Sequence, residues 1–303
     1  MQIVKFDDIR EIMIESMRKS MLIPILGSGF TRGCGAFCGN VPSGEDYRRY
    51  MIDAISSSGD FSSEEISSLS SESFSKISNV YHATVSEEKQ REYLRANFTQ
   101  VSLDICKKKL LSIPWPYVYT LNIDDAIERN SEFQSVIYSN RRVRKSAFDE
   151  QKCVIKLHGD ITEVLNYEDS VSEIFDQTQY IASLHQNASL LSKLTHDLSY
   201  QNIVYIGCSL ADEIDLLSVS ESLMPNENIR FFCTTKTPSR LEQIDLGRYK
   251  ITHCVVFESY QEIYSLIYDA AQEAEKIAST EIERYRTYKF ESLSEDFTLN
   301  KSY

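Results

Sequence analysis

Four short clusters hold the residues best able to do chemistry: Gly27-Ser28-Gly29, Asn122-Ile123-Asp124, His158-Gly159 and Gly207-Cys208-Ser209. Gly27 and Gly29 lie in ILGSGFTRGCG, where a chain free of Cβ atoms lets backbone N–H groups approach an anion such as a pyrophosphate. The same three residues also suit a plain tight turn. Asn122, in TLNIDD, can orient a hydroxyl or a water, and Asp124 can accept from an amide. Both residues are equally suited to capping a helix that follows. His158, in KLHGD, has the chemistry of a general base near neutral pH, although a lone histidine is often structural. Gly207 and Ser209, in IGCSLADEID, can contact a phosphate or a sugar, with Asp212 suited to start the next helix as its N-cap.

Each cluster must be placed by the element before it. Leu22–Leu26, Tyr117–Thr120, Ser135–Tyr138, Cys153–Leu157, Ile203–Ile206, Ile229–Thr234 and Ile251–Phe257 are short β-prone runs, and all four clusters directly follow one of them. Strands alternating with helices predict an α/β fold, a Rossmann-like parallel sheet with helices on both faces. In such sheets ligands bind beyond the carboxyl ends of the strands, which is where the four clusters fall. Pro24 inside the first run argues for an edge strand or a strand end.

Residues 6–20 predict a helix capped by Asp7 or Asp8, with Ile9, Ile12, Met13 and Met17 on one face. Residues 45–110 predict a helical insertion beside the sheet. Within it, serine at eleven of the twenty positions 56–75 marks a loose or exposed connection. A helix is expected over 171–198, and another over 260–279 with Ile263, Leu266, Ile267, Ala270, Ala274 and Ile277 along a core-facing stripe. Residues 288–303 show no periodicity. The division expected is a binding and catalytic domain over 1–260, then a C-terminal helix and tail over 261–303.

Composition narrows the classes. Apolar residues make up 42% and charged residues 25%, as in ordinary globular proteins. A net charge of -13 argues against a broad nucleic-acid surface, and the basic run Arg141, Arg142, Arg144 and Lys145 reads as a solvated loop. No apolar run approaches the ~20 residues of a membrane span, and the acidic opening MQIVKFDDIREIM is unlike a signal peptide. Seven cysteines, several of them in apolar runs, suit buried thiols in a reducing compartment. The expected location is therefore cytoplasmic. The G-x-G-x-x-G fingerprint fails because Arg32 occupies its last position, and no Gly-Lys-Ser/Thr of a P-loop is present.

Taken in order, the clusters resemble the sirtuin-like superfamily. That family shows a strand followed by Gly-Ala-Gly and a serine, then Thr-x-Asn-x-Asp, His-Gly and Gly-x-Ser. Gly27-Ser28-Gly29 with Thr31, Thr120-Leu121-Asn122-Ile123-Asp124, His158-Gly159 and Gly207-Cys208-Ser209 stand in those places, over roughly residues 20–260. Pro42 fits the family's cofactor loop loosely.

The resemblance implies an NAD site. Gly27, Ser28, Gly29 and Thr31 would face the pyrophosphate. Asn122 and Asp124 would lie near the nicotinamide ribose and carboxamide, with Asn122 and His158 catalytic. Gly207 and Ser209 would hold the phosphate–ribose side, and Thr234 or Thr235 the adenosine ribose. Protein-deacylating members carry a zinc module of two Cys-x-x-Cys pairs between His-Gly and Gly-x-Ser. Residues 160–207 contain no cysteine, so no zinc site, and no metal at all, is expected. That departure, with the long stretch between Asn122 and His158, resembles the NAD-hydrolysing effector domains of bacterial antiphage defence. The implied function is hydrolysis of the nicotinamide–ribose bond, with NAD as substrate. Control would come from homo-oligomerisation or from a sensor or activator protein or domain. The alternatives are a non-catalytic NAD or ADP-ribose sensor and an NAD-dependent deacylase.

Overall fold

The apolar runs form strands, and those strands pair into one parallel sheet. The computed structural model describes residues 1–133, 135–138, 152–166, 188–210, 213–224 and 226–299. Eight strands follow in chain order: β1 (Gln2–Val4), β2 (Leu22–Leu26), β3 (Val118–Thr120), β4 (Ser135–Tyr138), β5 (Cys153–Lys156), β6 (Asn202–Ile206), β7 (Arg230–Thr234) and β8 (His253–Val256). Their spatial order is β1-β8-β7-β6-β2-β3-β5-β4. Every pairing is parallel, for example Leu26 opposite Ile206 and Leu26 opposite Thr120. The Rossmann-like α/β expectation holds. From β2 the chain lays β3, β4 and β5 on one side, with β5 entering between β3 and β4, and then β6, β7 and β8 outward on the other. The switch point therefore lies between β2 and β6, where ligand sites of open sheets form.

Alternation along each strand divides the core into two layers. Leu22, Leu26, Val204, Ile206, Phe231 and Val255 face a layer that contains α1 (Phe6–Arg18), α13 (Tyr260–Leu299) and the helical segment between β2 and β3. Ile23, Ile25, Ile203, Tyr205 and Cys254 face the layer that contains α10 (Ala188–Tyr200) and α11 (Ile214–Ser222). A strand buried on both faces reads as an unbroken apolar run, as LIPIL does.

Pro24 does not mark an edge. β2 is central, and Pro24 lies opposite Val204 of β6. The reason is directional. Leu26 accepts from Leu121 on the β3 side, whereas Gly27 donates to Ile206 on the β6 side. Pro24 shares the direction of Leu26, so its missing N–H faces β3, whose pairing with β2 covers only Ile25 and Leu26.

Between β2 and β3 run α2 (Ser28–Thr31), α3 (Gly44–Ser56), α4 (Ser63–Leu69), α5 (Phe74–Thr84), α6 (Glu87–Phe98) and α7 (Ile105–Ser112). The serine-rich stretch is exposed as expected but is not loose. Ser62 accepts from the N–H of Glu65 and Ser73 from that of Lys76, so the serines cap α4 and α5. This layer has its own aromatic core, in which Tyr47 stacks on Tyr93 with ring centroids 5.1 Å apart. Asp125 ties the layer to the sheet by accepting from the N–H groups of Gln100 and Val101.

Several expectations shift in detail. Lys5, not Asp7 or Asp8, is the N-cap of α1, although Asp8 accepts from the Lys5 N–H at 2.9 Å. The buried face of α1 is Ile9, Met13 and Ile14, and Ile12 is exposed. β1, a three-residue edge strand, is too short to leave a sequence signal. Helix α13 runs on to Leu299, with neither glycine nor proline along it to stop it. Its residues Ile263, Ile267, Ala270 and Ala274 are buried, while Ile277 is exposed. Of the helix expected over 171–198, the part before Ala188 lies outside the described residues, as does the basic run 141–145. No helix among the described residues is long and apolar enough to cross a membrane.

Trp115, the only tryptophan, is buried between α7 and β3, and its ring N–H donates to Leu110 O at 2.9 Å. It sits at the amino ends of the strands, beside Ile113, Met17 and Ala274 and far along β2–β3 from the glycine turns.

Candidate active site

The two glycine turns meet at the switch point, backbone against backbone. Gly27 N–H donates to Ile206 O at 3.0 Å, and Gly29 N–H donates to Gly207 O at 2.8 Å. A Cβ on Gly27 would lie 2.6 Å from Gly207 O, and one on Gly207 2.5 Å from Phe30 N. Gly207 also has φ +69°, a conformation that favours glycine. Glycine at all three positions is thus required by contact between β2 and β6. The Gly29 N–H is spent inside the protein, and this turn is not an open anion nest.

Above the turns lies a cleft of about 520 Å³ whose walls include Ser28, Gly29, Gly207, Ser209 and Thr234. Arg32 and Lys236 supply positive charge to it, and Glu242 and Asp245 supply negative charge. Arg32 also lines an adjoining cavity of about 590 Å³ with Pro42, Ser43, Tyr93 and Asn97. Ser28 and Ser209 are exposed on the rim, as a ligand contact requires. Thr235 is not among the cleft residues.

Thr31, Asn122 and Asp124 form a chain of hydrogen bonds beneath the first turn. Asn122 Nδ2 donates to Gly27 O at 3.1 Å and to Thr31 Oγ1 at 3.0 Å. Thr31 Oγ1 then donates to Asp124 Oδ2 at 2.7 Å. Asp124 Oδ1 accepts from the N–H of Ala126, the first residue of α8 (Ala126–Asn130). Both oxygens of Asp124 are therefore committed, one to the network and one to the helix start. Burial raises the pKa of Asp124, and the Thr31 hydroxyl and Lys156 pull it back. The Asn122 carbonyl is the polar atom of this set that makes no hydrogen bond to the described residues.

His158 follows β5 and is 6% exposed. Its Nε2 lies 3.2 Å from Asp215 Oδ2 and 3.4 Å from Glu213 Oε2. The Leu121 backbone takes a further hydrogen bond from the ring. Burial works against a charged ring, but the two carboxylates outweigh it and push the pKa of His158 up to about 9. Burial likewise opposes charge on Asp215, yet the imidazolium holds that carboxyl below its usual range. The expected base is therefore a cation at neutral pH, clasped by two acids. Among the described residues these three are the His, Cys, Asp or Glu group whose donor atoms all come within 4.8 Å of one another. The hydrogen bond between His158 and Asp215, with Glu213 Oε2 within ion-pair distance, arranges them as a charge cluster.

A second buried charge lies under the same strand ends. Lys156, fully buried, donates to Asp160 Oδ2 at 2.5 Å and to Asp124 O at 2.6 Å, and pairs with Glu128 at 2.7 Å. It links β5 to the segment that holds Asn122 and Asp124. None of the seven cysteines is in a disulfide, and Cys153, Cys208, Cys233 and Cys254 are buried as expected. Burial pushes the Cys208 thiol well up, so it is not a nucleophile at neutral pH.

Of the nine expected site residues, Ser28, Gly29, Gly207 and Ser209 share the cleft. Gly27, Thr31, Asn122 and Asp124 share the network below it. His158 is joined to the network side through Leu121. Arg32, Lys156, Glu213 and Asp215 join the site without having been expected there. A lysine ending the apolar run CVIK, and acids flanking Ile214 directly after a β–Gly turn, are the signals that mark them. Asp212, expected as an N-cap, lies outside the described residues.

A family model described as a SIR2-like domain matches residues 116–249. The match runs from the approach to β3 to the end of the helix Arg240–Arg248, and so takes in Asn122, Asp124, His158, Gly207 and Ser209. It supports the sirtuin-like reading of those motifs, and the Gly27–Thr31 turn lies before it. Among curated proteins none matches the chain.

Proposed function

We propose, from a SIR2-like match laid over this cleft, that the chain hydrolyses the nicotinamide–ribose bond of NAD to give nicotinamide and ADP-ribose. The observation that carries the reading is the placement of a cleft with two cations, Arg32 and Lys236, directly above the Gly29–Gly207 junction, with Asn122 beneath it. The pyrophosphate lies over the junction, held by side chains and the Ser28 and Ser209 rim. Thr234 and Asp245 face the adenosine end.

In the reaction the C1′–N bond breaks with its electron pair passing to the pyridinium nitrogen, so nicotinamide leaves neutral and needs no acid. Water adds to the ribose cation and loses a proton. Asn122, fixed through its amide by Gly27 and Thr31, offers its carbonyl to that water or to a ribose hydroxyl. Asp124 holds Thr31, and thereby Asn122, in place. His158 accepts the proton in its neutral form. No residue of the set requires a metal for these roles. The lack of cysteine over residues 160–207 favours an NAD-depleting effector of antiphage defence over a deacylase. Such an activity needs control by a partner or by self-association.

One observation favours a second reading, a site that binds NAD or ADP-ribose without turnover. His158 is a clasped cation and has no free base nitrogen in this arrangement. Nicotinamide release from NAD, measured with the intact protein and with Asn122→Ala and His158→Ala, decides between them. The hydrolase reading expects release that falls ~10²-fold or more in either variant. Binding of NAD by calorimetry without release identifies the sensor. Release that survives both substitutions overturns the assigned roles.

A further inference from the structure

We infer that Asp215, assisted by Glu213, is a positioning residue that sets the protonation state of His158 and with it the pH at which the site works. The inference rests on the reading of His158 as the group that takes a proton. Its basis is the geometry of the clasp. Asp215 stands in the first turn of α11, where its Oδ1 accepts from the Leu216 N–H at 2.9 Å. Its position is thus fixed by the helix, and its second oxygen is left for the imidazole at 3.2 Å. Glu213, one residue before α11, reaches the same ring nitrogen at 3.4 Å from the less buried side. Leu121, in the segment after β3, takes the remaining hydrogen bond.

A neutral imidazole has one donor and one lone pair. Here Asp215, Glu213 and the Leu121 carbonyl all act as acceptors toward the ring, so the neutral form would set its lone pair against an oxygen. Only the doubly protonated ring satisfies the site. Among the described residues, the charged groups that face His158 are Asp215 and Glu213, both from the β6–α11 side. On its own segment, Asp160 turns instead to Lys156 at 2.5 Å, and the cation Lys156 is held there and by Glu128. Across from β6 the Cys208 thiol faces Glu213 but is uncharged. Removing one acid therefore removes a direct opposing charge from the ring and, among the described residues, leaves only the other acid beside it.

Deprotonation of His158, needed before it can accept a proton from substrate, thus becomes easier at neutral pH when the acids are neutralised or moved. Both stand at the start of α11, so a shift of that helix end changes the base without touching the strand that carries it.

The test is the titration of the His158 ring by NMR on the full chain, assigned by its loss in His158→Gln, alongside the pH profile of nicotinamide release. Asp215→Asn is expected to lower the ring midpoint at least tenfold in proton affinity, Glu213→Gln by less, and Asp215→Glu to restore it in part. If release depends on the neutral ring, its rising limb moves down in pH with the midpoint. A midpoint unchanged in folded Asp215→Asn overturns the inference, and so does a limb that stays put while the midpoint moves. Should Asp215→Asn not fold, the more exposed Glu213→Gln carries the same comparison. If no variant and no wild-type sample releases nicotinamide, the functional reading fails while the ring titration still decides the positioning.

Discussion

Gly29 donates its amide proton to the carbonyl of Gly207 at 2.8 Å, joining the turns that end β2 and β6. Two turns 178 residues apart thereby form one platform, and the cleft stands on it. The arrangement explains why glycine recurs at strand ends without invoking an anion at each: here the close approach is between two parts of the chain.

Gly207→Ala should be strongly destabilising, by about 2–4 kcal/mol, since it combines a left-handed φ with a Cβ 2.5 Å from Phe30 N. Gly59→Ala is the control. It has φ +80° but open space around the added atom, so it should lose only about 1 kcal/mol. Urea unfolding of the two variants checks this; equal losses would show that contact across the switch point contributes nothing.

Thr31→Val keeps the shape of the side chain and removes its hydroxyl. Asn122 loses one acceptor and the buried Asp124 loses one donor. The expected cost is about 1–3 kcal/mol. Under the hydrolase reading, nicotinamide release should fall by more than the change in NAD affinity, because Asn122 is misplaced in the transition state rather than in binding. An intact rate in a destabilised variant would separate the network from the chemistry.

Stability should depend on pH through His158. Its pKa is about 9 in the folded chain and near the ordinary 6.5 once unfolded. The stabilising contribution is therefore complete below about pH 6.5 and is lost as pH rises through about 9. Chemical denaturation at several pH values between these limits should show a falling midpoint, and the fall should flatten in Asp215→Asn. A midpoint that is level across the range in the wild type would mean the ring is not held charged.

Much of this architecture was readable in the residues. Seven of the eight strands announced themselves as short apolar runs, and each motif followed its strand because the carboxyl ends of a parallel sheet gather such turns. What stayed hidden was long-range pairing. Nothing near His158 in the chain signals that Asp215, 57 residues on, will clasp it. One of the two bonds of Asp124 likewise depends on Thr31 arriving from the short helix after β2. Pro24 misled for a different reason: strand propensity cannot tell which neighbour an N–H would have faced. The serine-rich stretch is exposed as read, but composition alone does not distinguish a loose connection from successive helix caps such as Ser62 and Ser73.

Trp115 gives the molecule a built-in optical probe. The single indole is 5% exposed, hydrogen-bonded to Leu110 O, and seated at the end of the sheet opposite the glycine platform. Its emission should be blue-shifted in the native protein and should move to the red only when the α7, β3 and α13 junction opens. Filling the cleft leaves that junction undisturbed. Tyrosine, by contrast, occurs at 18 positions, so its signal belongs to no one region. Selective excitation of the one indole thus reports loss of the fold at this end of the sheet in an unlabelled sample.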